Sequence, residues 1–189
     1  MKQKKAFSDF AGTGKLVRFT RRFAPEHLLN GYVLRTGREL ILVHMFDDFK
    51  GDGYSIVRQE DIEDFRQSQF EDWFDHMLRS EGLLGGLKIK AEIDLTDMHS
   101  AIQSVSRSFE QMIIECESEE GDANAFYIGK AVSIAKTCIQ FSHYDALGFW
   151  SQRPETIQIP DITVVQFDTP YIRTFSKYLR PGQAPKSPQ

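Results

Sequence analysis

The chain has 189 residues, 41% of them hydrophobic and 26% charged, which is ordinary globular usage and enough for one medium domain or two small ones. Pervasive disorder, collagen and a disulfide scaffold are excluded; no apolar run approaches the roughly 18–20 residues of a transmembrane helix, and the opening MKQKKAFSDF lacks the apolar stretch of a signal peptide. A formal net charge of -4 argues against a general nucleic-acid binder but leaves room for a local basic patch, and Cys116 and Cys138, without CxxC or Cys/His spacing, read as small apolar residues of a reducing, cytoplasmic compartment.

Charge is unevenly spread. Lys2, Lys4, Lys5, Lys15, Arg18, Arg21 and Arg22 make the first segment basic, whereas residues 47–76 carry an excess of Asp and Glu. Along the chain, strands are predicted at Leu16–Phe23, Gly31–Leu34, Glu39–Phe46 and Tyr54–Arg58, separated by Thr36-Gly37-Arg38 and Gly51-Asp52-Gly53 turns. From Asp61 the period changes. Phe65, Gln69, Trp73 and Met77, with Phe70, Phe74 and Leu78, recur at helical steps and predict an amphipathic helix with its acids on the outer face. After glycines 82, 85 and 86, Leu87–Leu95 alternates apolar and charged residues and reads as the cleanest strand. Thr96 or Asp97 can cap a helix striped by Met98, Ile102, Val105 and Phe109. Strands follow at Gln111–Ser118, Phe126–Ile134, Thr137–His143, Glu155–Ile159 and Ile162–Phe167, with a polar turn at Glu119–Asn124, a short helix at Tyr171–Leu179 and a proline-rich tail that reads as disordered.

Asn30–Ile62 and Tyr127–Ile162 share one pattern: a glycine, a strand, a tight turn and a second apolar strand ending at His44 or His143. An Asp-containing loop, a glycine-aromatic pair (Gly53-Tyr54, Gly148-Phe149), a further strand and an Asp-Ile pair follow in each. This repeated unit resembles the Sm-like family of small five-stranded barrels within the SH3-like group, in a duplicated, bacterial-type form. On that resemblance, Leu16–Phe23 and Gln111–Ser118 are the first strands of the two copies and Met98–Phe109 is the leading helix of the second. The resemblance implies barrels that associate through strand edges. The family's RNA signature is missing: no Asn stands in Arg35–Glu39 or Ala135–Cys138, and Glu60-Asp61 and Pro160-Asp161 replace its basic-glycine pair.

The predicted fold class is therefore mainly β with helices (α+β), as two tandem Sm-like or SH3-like small barrels, each with an associated helix. The expected domains are 1–86 and 87–180, with a disordered tail at 181–189. Leu87–Leu95 is expected to cap an edge or bridge the halves.

Chemistry-bearing patterns are sparse. His44 and His143 stand before acidic loops and are weak candidates for a metal site or a general base; otherwise they are strand-end residues bonded to their loops. Asp47–Gly53 has the composition of a turn and lacks the ligand spacing of a calcium loop. Gly12-Thr13-Gly14-Lys15 lacks the rest of a phosphate-binding loop, with Leu16 where Ser or Thr is needed. Phe65, Phe70, Trp73, Phe74, Phe149, Trp150 and Tyr171 fit core or interface roles better than base stacking, with Trp150 the best candidate for an exposed ring. The expected function is non-catalytic: a binding or adaptor protein that needs no cofactor and has a protein partner or associates with itself. The alternative is RNA binding through Lys15, Arg18, Arg21, Arg22 and Trp150. No membrane role is expected.

Overall fold

The structure is a computed structural model that describes residues 7–85, 87–118 and 124–180. Lys2, Lys4 and Lys5, Gly86, the 119–124 turn except Asn124, and the 181–189 tail lie outside them.

Short runs of apolar and β-branched residues form ten strands: β1 (Leu16–Arg21), β2 (Ala24–Thr36), β3 (Leu40–Asp47), β4 (Lys50–Arg58), β5 (Ile62–Arg66), β6 (Met112–Cys116), β7 (Ala125–Ile134), β8 (Cys138–His143), β9 (Glu155–Gln158) and β10 (Val164–Phe167). Among the described residues three α-helices accompany them: α1 (Gln69–Ser80), α2 (Met98–Ser108) and α3 (Pro170–Phe175). All ten strands join one antiparallel sheet in the order β5-β1-β2-β3-β4-β10-β6-β7-β8-β9.

This corrects the expectation of two tandem closed barrels. The sheet is open and continuous, and β10 is the strand that makes it so. Val165 pairs with Ile56 of β4 on one side and Ile114 of β6 on the other. With both edges of β10 hydrogen-bonded, neither β4 nor β6 keeps free amides there for closing a barrel of its own. The order within the first five strands, β5-β1-β2-β3-β4, recurs in β10-β6-β7-β8-β9.

The apolar core runs across this junction. Leu40, Leu42 and Ile56 of the first half pack in the same cluster as Ile114, Phe141 and Val165 of the second. Helix α2 covers it with Met98, Ala101, Ile102 and Val105, its start fixed by Asp97, whose carboxylate accepts from the Ser100 amide at 2.7 Å. A second cluster, with Phe7, Phe10, Phe19, Ile41 and Val43, fills the other face of the first half.

Two elements differ from expectation. Leu87–Leu95 forms no strand. Its alternation nevertheless predicts burial well: Ile93 and Leu95 are buried, while Lys88, Lys90, Glu92 and Asp94 are exposed. The segment is an extended strap laid over the α2 cluster, so apolar spacing alone, without edge pairing, accounts for its pattern. It pairs with no edge strand, and Ile93 and Leu95 pack in the cluster shared by the two halves. Likewise, the helix predicted from Asp61 starts at Gln69, and Phe65 belongs to β5, where it packs on Phe7 and Phe10.

Candidate functional site

Ser68 and Glu71 set the geometry of α1. They form a capping box: the Ser68 hydroxyl accepts from the Phe70 amide at 3.3 Å, and Glu71 accepts from the Ser68 amide at 2.9 Å. Fixing the start there also fixes the rotation of the helix. Glu71, Phe74, Asp75 and Leu78, at i, i+3, i+4 and i+7, turn toward the sheet. Glu71 is only 1% exposed. Burial alone would raise its pKa, but hydrogen bonds from Ser68 and Arg66 outweigh that and hold the carboxyl below its usual range. Asp75 accepts from the Tyr32 hydroxyl at 2.6 Å and from Arg79 Nε at 2.7 Å. Burial first, then this bond to Asp75, pushes the Tyr32 phenol well above its ordinary value.

The outward side of α1 is mixed: Phe70 and Trp73 stand in water among Gln69, Asp72, His76 and Arg79. Phe70 is 66% and Trp73 63% exposed. Beside them Phe49, at the tip of the β3–β4 hairpin, lies 5.0 Å from the Phe74 ring. Phe49, Trp73, His76, Met77 and Leu83 line a shallow groove of about 510 Å³, and Trp73 and His76 rings lie 5.2 Å apart. The expectation of acids on the outer face is thus half inverted: Asp72 and Glu81 are outside, but Glu71 and Asp75 point in and two aromatic rings point out. Sequence periodicity missed this because it weighed the aromatics as core. The Ser-x-x-Glu signature at 68–71 was the readable signal for the correct rotation.

A second concavity, about 730 Å³, lies where the halves meet, lined by Arg22, Arg58, Asp61, Cys116, Glu117 and Asp161 among others. Its charges are largely internal ties. Arg21 holds Glu117 through two hydrogen bonds of 2.5 and 2.9 Å, and Thr163 donates to the same carboxylate at 2.7 Å. Arg58 donates to the carbonyls of Ile162 and Ile159 at 3.1 and 3.3 Å, joining the halves. Arg22 Nε lies 3.1 Å from Asp61, whose carboxyl is pushed up by burial against the opposing pull of that guanidinium. Burial, then neighbouring acids, pushes the Cys116 thiol up to about 11, which keeps it protonated and unreactive. Both cysteines are free thiols.

The proposed nucleic-acid residues do not converge. Lys15 is exposed. Arg18 donates to Asn30 at 2.8 Å and lies 4.0 Å from Glu71. Arg21 is buried in its pair with Glu117, and Arg22 sits against Asp61 and over the Phe23 ring. Trp150, in the second half, is half-buried, edge-on to Tyr144 at 5.2 Å, with Lys130 over its ring. His44 is buried between Phe46 and Tyr54 at ring distances of 5.0 and 4.9 Å, and burial lowers its pKa to about 4, leaving it neutral at pH 7. His143 lies 5.4 Å from the Tyr127 ring. Among the described residues no three His, Cys, Asp or Glu side chains are grouped to hold a metal ion, and no helix is long and apolar enough to cross a membrane. Asp47–Gly53 is the hairpin tip, with Asp48 in the left-handed region at φ 47.

No family model, no curated protein and no solved structure matches the chain.

Proposed function

We propose that the chain is a non-catalytic binding or adaptor module that engages a protein partner through the outer face of α1. The observation that supports this reading is the pair of aromatic rings, Phe70 and Trp73, held in water by a helix whose inner face is taken by Glu71, Phe74, Asp75 and Leu78. Large apolar residues grouped beside a groove are characteristic of docking surfaces, where aromatic anchors dominate the binding energy. The alternative, RNA binding through the basic segment, draws less support, because Arg18, Arg21 and Arg22 already serve internal carboxylates or amides.

Capture from native lysate tests the reading. The wild-type chain and a Phe70→Ser/Trp73→Ser variant are compared, with proteins and nucleic acids both identified. A protein retained by the wild type and lost from the variant supports it; a retained set that is indifferent to the variant, or that is chiefly nucleic acid, defeats it.

Self-association is a second reading, favoured by one observation. Among the described residues the outer edges of β5 and β9 pair with no strand, while the β4·β10 pair shows that edges of this sheet can join. Light scattering across a concentration series separates a monomer from a closed oligomer.

A further inference from the structure

We infer that the α1 groove takes a basic amphipathic segment of a partner protein: a helix with apolar side chains on one face and lysines or arginines beside them. This rests on the reading of α1 as a docking face and adds the chemistry of what docks there.

The apolar lining of the groove and the acids beside it carry different information. Trp73, Met77, Phe49 and Leu83 make the apolar part of the shallow lining, beside His76, Ser80 and Glu81, and suit apolar side chains arriving along one edge of a helix. One acid, Glu81 at the C-terminal end of α1, lines the groove itself. Asp47 and Asp48 are exposed next to Phe49 in the hairpin tip, and Asp52 follows in β4. Partial burial pushes the Asp52 carboxyl up, and the charge of Asp47 adds to it. The cations nearby are mostly committed. Arg66 is held by Glu71 at 2.9 Å, and Arg79 by Asp75 and the Gly14 carbonyl, both at 2.7 Å. Lys50 alone among the tip residues opposes the aspartates. An apolar lining with acids beside it attracts a segment of the opposite charge, and it repels an acidic one.

The test uses the full chain and two synthetic helices of about 18 residues, long enough to hold helical structure once bound. One is built from leucine and lysine, the other from leucine and glutamate in the same pattern. Trp73 fluorescence, isolated by using a Trp150→Phe background and tryptophan-free peptides, reports binding. The leucine-lysine helix is expected to shift Trp73 emission to the blue and to bind at least about tenfold more tightly than its acidic counterpart. Asp47→Asn/Asp48→Asn/Glu81→Gln, all exposed positions, is expected to weaken it about fivefold, with a similar loss on raising salt. Trp73→Ser, followed by calorimetry in place of fluorescence, is expected to abolish the heat of binding.

If both helices bind equally, or the acidic one better, the inference is overturned while the docking reading survives. If neither binds, the inference is overturned as well; capture that still depends on Phe70 and Trp73 then shows that the docking reading stands without it. A groove occupied by a second copy, seen as a dimer that Phe70→Ser/Trp73→Ser dissociates without any peptide, overturns it too.

Discussion

The two halves run their strands in the same order but seat the helix that follows differently: α1 leaves Phe70 and Trp73 in water, whereas α3 packs Phe175 and Ile172 against its own half. In the second half, Tyr144 stacks on Phe175 at 5.3 Å and meets Trp150 at 5.2 Å, and Ile172 of α3 is buried against them. Even Tyr171, half exposed, lies against Phe175 and Phe126. In the first half, α1 meets a seat that already holds Arg18, Arg66 and the Tyr32 hydroxyl. Beside its apolar part, which takes Leu78 and Phe74, such a seat is best filled by carboxylates, so Glu71 and Asp75 turn in with them and Phe70 and Trp73 are left outside. What a helix exposes is decided by the chemistry of the surface under it as much as by its own composition.

The comparison is sharpest if the halves are one folding unit, and the largest expected effect tests that. Val165 is fully buried and paired on both sides. Val165→Asp places a carboxyl in the shared core and is expected to cost about 4 kcal/mol or more. Hydrogen exchange over β3 and β8 should then rise together. Protection retained in β3 alone would mean that the first half stands by itself.

Next comes the pair that spans the halves. Arg21 and Glu117 are about nine-tenths buried, at 9% and 11% side-chain exposure. Arg21→Met or Glu117→Gln alone strands a buried partner and is expected to cost about 3 kcal/mol. The double variant should cost clearly less than the sum of the two in denaturant melts. Additive losses would show that the pair does not couple the halves.

His44 gives the fold a pH dependence of its own. Burial depresses its folded pKa to about 4 from an ordinary 6.5. Protonation therefore favours the unfolded chain, so the stability it permits is complete above pH 6.5 and is lost as pH falls toward 4. The loss amounts to about 3 kcal/mol over that window. His44→Gln should flatten this part of the stability curve; a slope that survives the change assigns it to other groups.

Much of this arrangement is legible in the residues. Eight of the ten strands and α2 stand within four residues of where alternation and the Asp97 cap place them, whereas β2 begins seven residues before the expected Gly31 and β5 lies where the sequence reads as helix. Gly31 and Gly129 open the repeated segments for a shared reason: an added Cβ would come within 2.4 Å of Val43 in one and 2.0 Å of the Ser142 carbonyl in the other. Closure is not legible, because it depends on which edge takes β10, a choice made across more than a hundred residues by pairing that leaves no local mark. The strap at Leu87–Leu95 shows the same gap from the other side. A period of two records which side chains are buried, not whether the backbone has a neighbour. The acids beside the groove were visible as a run of charge, but their relation to Phe49 and Trp73 needed the rotation of α1.

The smallest expected effect bears most directly on function. If the α1 rings are kept for a partner, the isolated fold should scarcely notice their loss. Phe70→Ser and Trp73→Ser are expected to change stability by no more than about 0.5 kcal/mol each, as exposed positions usually do. Phe175→Ser in α3 removes a ring stacked on Tyr144 and Tyr171 and is expected to cost about 2 kcal/mol. Thermal melts of the three variants give the contrast in one experiment. Near-equal losses in α1 and α3 would mean that Phe70 and Trp73 stabilise the fold through contacts with Arg66 and His76, the groups nearest their rings, and the difference between the halves would then carry no functional meaning. A small loss in α1 beside a large one in α3 leaves the exposed rings with no role in holding the chain together, which is the condition a docking surface must meet.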